Sequence, residues 1–340
     1  MSEQVRLTLE EVRGLTHDTL RANGLSAAHA DAITEVITAA ERDECKSHGL
    51  FRLPGYIASV RSGKVRPDAV PTVEVLAPSV VRVDGGGGYA PLAFRTGLPH
   101  LVERARSQGL AALVMNHIFN FQALWPEAET LASQGLVAFV YTSSFSYVAP
   151  AGGTKPLFGT NPMAFGWPRA GHPPLVFDQA SSVSARGEIQ IHLRDGKQIP
   201  EGWAIDPDGK PTTDPAAALA GAQLGFGGYK GASIALMVEL LAGALIGDLF
   251  GFETTERDNG DGGAPAGGEL VIAIDPARCV KGGDRAGQLA HAEQLFARIL
   301  EQPGTRLPSE RRYRARERTP TEGIVIPRSL HDEIVSLRGS

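Results

Sequence analysis

A histidine and an arginine four residues apart lie in a polar stretch after the second predicted helix. Ser47 precedes His48, and Arg52 follows. On a helical backbone, residues i and i+4 share one face, so the imidazole and the guanidinium would lie side by side. A guanidinium binds carboxylates through charged hydrogen bonds, and an imidazole transfers protons near neutral pH. The pair suits a small carboxylate substrate, although a helix end with a solvated histidine would also explain it.

Two glycine-rich stretches could hold a phosphate group. Residues 85–90 formally fit the dinucleotide-binding glycine pattern after a predicted strand. No acidic residue ends a strand about 20 residues later, so a plain turn is favoured there. Residues 225–231 offer backbone amides and Lys230 at the start of a helix. This second segment could bind a phosphate or ribose, or it could be a closely packed helix start.

Other polar residues also have two interpretations. Thr160 lies in a turn and could donate to a carboxylate or simply cap that turn. Residues 178–182 leave a predicted strand with clustered polar side chains, which is a typical position for ligand contacts. Glu188 borders a predicted strand at 189–191, where it could be an exposed charge or could orient His48 and support its basicity.

The composition is typical of a soluble globular protein of 340 residues, with 42% hydrophobic residues and a net charge of -5. This acidic balance does not favour binding to nucleic acid or to an anionic membrane surface. Cys45 and Cys279 are far apart, so neither a disulfide framework nor a metal site is expected. No basic-then-apolar leader is visible, and the apolar segment 232–250 is interrupted by charges and glycines, so we expect a cytoplasmic location.

Hydrophobic spacing predicts helices in the N-terminal part, with a capping box that begins at Thr8 and an N-cap at Ser26. Strands are predicted at 72–75 and 80–83, followed by alternating helices and strands as far as residue 141. Residues 147–228 are rich in glycine and proline. A core strand at 270–274 and an amphipathic helix at 288–300 complete the pattern.

Six motifs, in this order, resemble the malate/L-lactate dehydrogenase family of non-Rossmann oxidoreductases. They are Ser47-His48-Gly49 with Arg52 and Tyr56, then residues 152–162, 178–181, 199–204, 208–215 and 227–231. The resemblance covers about residues 8–338. Within the family, the chain is most similar to the Δ1-piperideine-2-carboxylate and Δ1-pyrroline-2-carboxylate reductases. Residues 123–127 resemble that branch, and Glu188 stands where hydroxyacid dehydrogenases often have a lysine.

The resemblance implies an α/β fold of the α+β type that is not a Rossmann fold. A large, mainly antiparallel sheet domain would bind the cofactor, and a helical domain would form from both chain ends. Residues 1–68 would be the helical N-terminal part of the substrate and dimer domain, and 69–282 the NADPH-binding domain. Residues 283–340 would be a C-terminal helical part that packs back on the N-terminal domain. The family also implies a homodimer with active sites near the subunit interface.

The resemblance also implies residue roles. His48 would be the proton donor, with Ser47 and Glu188 in a relay around it. Arg52 would bind the substrate carboxylate, and Thr160, Arg186 and Gly187 would assist it. The implied NADPH contacts are Asn120, Phe121, Gln122, Ala123, Leu124, Asp178, Gln179, Ala180, Lys230, Gly304, Thr305, Arg306, Leu307, Pro308, Ser309 and Glu310. Asn120 departs from the family, since many members have a histidine there, and asparagine cannot carry a charge.

The implied reaction is the NADPH-dependent reduction of a cyclic imino acid to L-proline or L-pipecolate. A 2-oxo acid or 2-hydroxy acid dehydrogenase that uses NAD(P) needs the same carboxylate clamp and proton donor, so it is the first alternative. A non-catalytic dinucleotide-binding protein is the second alternative, which the joint presence of Ser47, His48, Arg52 and Glu188 disfavours. Ring size is left open, because one methylene changes binding by only about 1–3 kcal/mol.

Overall fold

A seven-stranded sheet is the centre of the computed structural model, which describes residues 3–339. The strands are β1 (Gln4–Leu7), β2 (Thr72–Ala77), β3 (Val80–Tyr89), β4 (Leu110–Phe119), β5 (Val137–Thr142), β6 (Met163–Trp167), β7 (Leu175–Gln179), β8 (Ala204–Ile205), β9 (Pro211–Thr212), β10 (Ala222–Gln223), β11 (Ala266–Ile274) and β12 (Ile324–Pro327). The helices are α1 (Leu9–Ala22), α2 (Ala27–Arg42), α3 (Leu53–Arg61), α4 (Ala90–Gln108), α5 (Trp125–Ser133), α6 (Arg186–Arg194), α7 (Pro215–Ala220), α8 (Tyr229–Glu239), α9 (Gly251–Glu256), α10 (Arg285–Leu300), α11 (Glu310–Glu322) and α12 (Arg328–Ser336).

The large sheet has the order β2-β3-β4-β11-β5-β6-β7. Strands β3 and β4 are parallel and are joined by α4, whereas the other neighbouring pairs in this sheet are antiparallel. Strand β11 comes from late in the chain and lies between β4 and β5. The alternating helices and strands in the sequence therefore do not build a doubly wound sheet, and the expected non-Rossmann, mainly antiparallel architecture is confirmed.

The four consecutive glycines form a β-bulge inside β3. The pairing of β3 with β4 shifts register between Asp84 and Gly88. Gly86 and Gly87 have φ angles of 59° and 81°, a left-handed conformation that glycine adopts without a steric penalty. The Gly86 N–H donates to the Asp84 carboxylate at 2.9 Å. A local turn, and not a dinucleotide-binding loop, is therefore the correct interpretation of this run.

Both chain ends share one core. Strand β1 pairs antiparallel with β12, with Val5 opposite Ile326. One apolar cluster combines buried residues of the N-terminal helices, such as Ile33 and Tyr56, with Ile334 near the C-terminus. The boundaries at residues 68 and 282 stay predictions. Within residues 3–339, no helix combines the length and the apolar character that a membrane span needs.

Residues 189–191 are helical, so the predicted strand there is wrong. They belong to α6, whose Ile189 is buried against Ile199 and Ala218. Ile191 is 36% exposed. Two isoleucines separated by one residue imitate strand alternation, but only one of them faces the core.

Candidate active site

Two short 3₁₀ turns, Lys46–His48 and Leu50–Arg52, carry the central predicted residues between α2 and α3. Gly49 separates the turns with φ -90° and ψ -141°, so His48 and Arg52 do not share one continuous helix. Ser47 nevertheless connects them. Its Oγ lies 3.0 Å from His48 Nδ1, and its carbonyl accepts a hydrogen bond from Arg52 Nε at 2.8 Å. The structure therefore brings Ser47, His48 and Arg52 together by a different local geometry.

A buried carboxylate supports these two turns. Glu41 is 2% exposed, and its Oε1 accepts a hydrogen bond from the Leu50 N–H at 2.7 Å. A Cβ atom at position 49 would lie 2.1 Å from the same oxygen, so this position requires glycine. Burial raises the pKa of Glu41. Sequence reasoning missed this residue, whose only signal is its position on the buried face at the end of α2.

The imidazole of His48 is neutral at neutral pH. Burial, with a smaller contribution from the positive charge of Arg52, lowers the pKa of His48 to about 3. The Ser47 hydroxyl lies within hydrogen-bond distance of Nδ1. If that hydroxyl donates, the ring proton resides on Nε2, which is then the nitrogen that can exchange a proton with a ligand.

Arg52 presents a half-buried guanidinium between two aromatic rings. Its central carbon lies 5.6 Å from the Phe51 ring centroid and 5.1 Å from that of Phe121. A Cβ atom at Gly187 would lie 3.8 Å from Arg52 Nη2. Burial lowers the pKa of Arg52. Across residues 3–339, no carboxylate forms an ion pair with this guanidinium.

The start of α6 brings a second cation to the site. The Arg186 guanidinium lies 3.8 Å from the Tyr147 ring centroid, and its Nη2 donates to the Leu219 carbonyl at 3.1 Å. Arg186 also has no carboxylate partner in the described part of the chain. Glu188 is exposed on the same helix, and its carboxylate makes no hydrogen bond or ion pair with any residue between 3 and 339. Its relay with His48 stays a prediction.

Thr160 belongs to a loop held by buried hydrogen bonds. Its carbonyl accepts from both the N–H and the hydroxyl of Ser181, each at 2.8 Å. The buried Glu239 carboxylate accepts from Asn161 Nδ2 and from the Gly251 N–H, each at 2.8 Å. Sequence reasoning did not identify Glu239. These hydrogen bonds fix the position of the loop, but contact of Thr160 with a substrate stays a prediction.

Two amide side chains flank Phe121 and anchor it. The Asn120 Nδ2 donates to the buried Glu269 carboxylate at 2.7 Å, and Gln122 donates to buried Glu127. Burial raises the pKa of Glu269 to about 8 and also raises the pKa of Glu127. Asn120 is therefore engaged in an internal hydrogen bond. This contact orients the segment whose ring covers Arg52.

Asp178 connects two of the predicted cofactor segments. Its Oδ2 accepts from the N–H groups of Leu124 and Trp125 at 2.8 and 3.0 Å, and so it caps the N-terminus of α5. Burial raises the pKa of Asp178 to about 6. Gln179, the last residue of β7, is exposed, and Ala180 after it is half-buried.

The remaining predicted cofactor residues lie beside the same strand or the loop after it. The Ser309 hydroxyl accepts from the Val176 N–H at 3.1 Å, and Leu307 packs on Leu175. Arg306 and Lys230 are exposed. A Cβ atom at Gly231 would lie 2.5 Å from the Ser181 carbonyl oxygen. The backbone after Lys230 is therefore next to the polar segment 178–182. Gly304, Thr305, Pro308 and Glu310 complete this stretch.

Two cavities lie near these groups. One, of about 490 Å³, is lined mostly by glycine and alanine residues, including Gly152, Gly225 and Gly228, and also lacks His48 and Arg52. The larger, of about 540 Å³, is lined by Phe145 and Asp258 among others, and neither His48 nor Arg52 lines it. No cluster of three or more histidine, cysteine or acidic residues suitable for a metal occurs among residues 3–339.

Comparison with known proteins gives a consistent result. A model of the malate/L-lactate dehydrogenase family matches residues 7–335. The chain is 55% identical to the Δ1-pyrroline-2-carboxylate/Δ1-piperideine-2-carboxylate reductase of Pseudomonas aeruginosa, over 98% of this chain and 99% of that protein. It is also 55% identical to the Δ1-pyrroline-2-carboxylate reductase of Ancylobacter novellus over the full length of both. The crystal structure of Δ1-piperideine-2-carboxylate reductase from Pseudomonas syringae pvar. tomato superimposes with a TM-score of 0.92 at 40% identity, covering 98% of this chain and 99% of that one.

Proposed function

Because this chain belongs to the malate/L-lactate dehydrogenase family, we propose that it reduces Δ1-pyrroline-2-carboxylate and Δ1-piperideine-2-carboxylate with NADPH. It is an oxidoreductase, and its products are L-proline and L-pipecolate. The observation that carries this proposal is the pair of guanidiniums of Arg52 and Arg186. Both are partly buried and have no carboxylate partner within residues 3–339. Buried cations are normally paired, so a substrate carboxylate is the natural counter-charge.

The residues of this chain supply binding and proton transfer. Arg52 receives the substrate carboxylate through charged hydrogen bonds, which brings the C=N group next to His48. The C=N carbon takes a hydride, and the ring nitrogen takes the Nε2 proton of the protonated His48 imidazolium, which leaves a neutral imidazole. Ser47 holds the other ring nitrogen at 3.0 Å. The neutral imidazole becomes more basic when the bound carboxylate offsets the charge of Arg52, so substrate binding itself favours the protonated donor.

The described residues fit an anionic dinucleotide. The cavity of about 490 Å³ has a glycine-rich lining that includes the N-terminus of α8, and Lys230 lies on the first turn of that helix. Backbone N–H groups at a helix start favour phosphate. The exposed Arg306 is available for the additional phosphate that distinguishes NADPH from NADH. When bound, NADPH supplies the hydride.

A homodimer is the second part of the proposal. Apolar side chains are exposed along α8, the π-helix Leu240–Ala244 that follows it and the next residue, with Leu236 at 47%, Leu240 at 49% and Leu245 at 66% exposure. A row of large exposed apolar groups is typical of a protein interface. Light scattering coupled to size-exclusion chromatography measures the mass directly, and a monomer at micromolar concentration would contradict this part of the proposal.

The test of the activity is a substrate and cofactor panel on purified protein, read at the nicotinamide absorbance band. We expect oxidation of NADPH with both cyclic imino acids, and slower oxidation of NADH. Pyruvate and oxaloacetate test the alternative of a 2-oxo acid reductase. A higher kcat/KM for either 2-oxo acid than for both imino acids would refute the proposed substrate class.

A further inference from the structure

Tyr147 lies in the segment that follows β5, and its ring is held from several sides. Its backbone N–H donates to the Phe158 carbonyl at 2.8 Å. The Arg186 guanidinium covers the ring at 3.8 Å from the centroid, and the Phe145 ring centroid is 6.2 Å away. A tyrosine fixed in this way presents its hydroxyl in a defined direction at little entropic cost on binding.

The hydroxyl of Tyr147 has no hydrogen-bond partner within residues 3–339. Two of the other tyrosines do have a partner for the hydroxyl. Tyr89 donates to the Tyr56 carbonyl at 2.6 Å, and Tyr313 donates to the Pro174 carbonyl. Tyr147 is half-buried, and its unpaired hydroxyl is accessible, so a bound ligand can accept a hydrogen bond from it.

The position of Tyr147 is next to the carboxylate-binding guanidinium. Arg186 stacks on its ring. The residue after Arg186 is Gly187, where an added Cβ atom would lie 3.8 Å from Arg52 Nη2. Burial raises the pKa of Tyr147, opposed by the charges of Arg186 and Arg52 and assisted by that of Asp258. The phenol therefore keeps its proton at neutral pH and can act as a donor.

We propose that the Tyr147 hydroxyl donates a hydrogen bond to the substrate carboxylate that Arg52 binds, which makes Tyr147 a substrate-contacting residue. This inference rests on the proposed function, because it assigns the donor to the same bound carboxylate. Tyr147 then contributes to the selection of planar rings that carry a carboxylate beside the C=N group. A neutral carboxamide accepts only an uncharged, weaker hydrogen bond from this donor.

The test replaces only the hydroxyl, with Tyr147→Phe. We expect KM for Δ1-pyrroline-2-carboxylate to rise roughly 10- to 150-fold, the range for a hydrogen bond to a charged acceptor. KM for NADPH and the thermal midpoint should not change. The dissociation constant of pyrrole-2-carboxylate, a planar ring that cannot be reduced in this way, should rise by the same factor in calorimetry. That of pyrrole-2-carboxamide should rise by a clearly smaller factor, because its amide oxygen accepts only a neutral hydrogen bond.

Tyr141→Phe is the matched control, since Tyr141 is buried in the apolar cluster with Val238 and Leu270. A KM for Tyr147→Phe within twofold of wild type, in an active enzyme, would overturn the assignment. Equal losses of affinity for the carboxylate and the carboxamide would overturn it too, because they indicate a packing role. If the wild type reduces no cyclic imino acid, the proposed function fails, while the calorimetric comparison still decides whether Tyr147 binds a carboxylate.

Discussion

Replacement of Arg52 by glutamine tests the electrostatic basis of the site. Glutamine keeps a hydrogen-bonding side chain but removes the charge that lies between Phe51 and Phe121. A hydrogen bond to a charged partner contributes about 1.5–3 kcal/mol, so we expect kcat/KM for the imino acid to fall roughly 10- to 150-fold, mainly through KM. The NADPH KM should change little.

The same substitution has a second, independent readout at His48. Burial is the main cause of its low pKa and persists in Arg52→Gln, whereas the repulsion from Arg52 is removed. The pKa of His48 should therefore rise from about 3 but stay below its ordinary value of 6.5. Histidine NMR titration measures this change, with the resonance assigned from His48→Gln.

Arg13→Gln, at an exposed position on α1, controls for the loss of a positive charge. This variant should leave both KM and the His48 titration unchanged. An Arg52→Gln enzyme with wild-type KM would show that the guanidinium does not bind the carboxylate. A wild-type His48 that titrates at 6.5 or above would refute the argument that burial and Arg52 keep the imidazole neutral.

Three further predictions concern proton transfer and stability. His48→Gln should lower kcat by roughly 10²–10⁴-fold if proton transfer limits the rate, whereas His291→Gln, at an exposed position on α10, should have wild-type kinetics. Arg316→Ala should lower the free energy of unfolding in urea by roughly 3 kcal/mol, because it removes an ion-pair partner from the fully buried Asp43 carboxylate. An unchanged free energy of unfolding would mean that Arg42 alone compensates the Asp43 charge. Asp178 has a pKa of about 6 in the fold against an ordinary 3.8, so its ionisation destabilises the folded state as pH rises through that window. Asp178→Asn should therefore gain stability relative to wild type between pH 4 and 6, by up to about 3 kcal/mol, and a pH-independent difference between the two proteins would contradict this reasoning.

The local sequence predicted features that depend on neighbours along the chain. The capping box at Thr8 and the N-cap at Ser26 are present, because side-chain oxygens there reach the next turn of the same helix. The buried strand at 270–274 and the amphipathic helix near 288–300 were also predicted correctly, since their apolar spacing extends over whole elements. Where the apolar run was short, as at Ile189, the spacing was ambiguous and the strand prediction failed.

The motifs of the sequence determined the family and the class of reaction, because their order and chemistry leave few alternatives. The tertiary structure alone decided which groups meet. The insertion of β11 between β4 and β5, the support of the 3₁₀ turns by Glu41, and the stacking of Arg186 on Tyr147 join residues far apart in the chain. The low pKa of His48 also depends on the tertiary structure, because burial and the nearby Arg52 cause it. Burial and distance from other charges are properties of the folded chain, and the spacing of residues in a sequence contains neither.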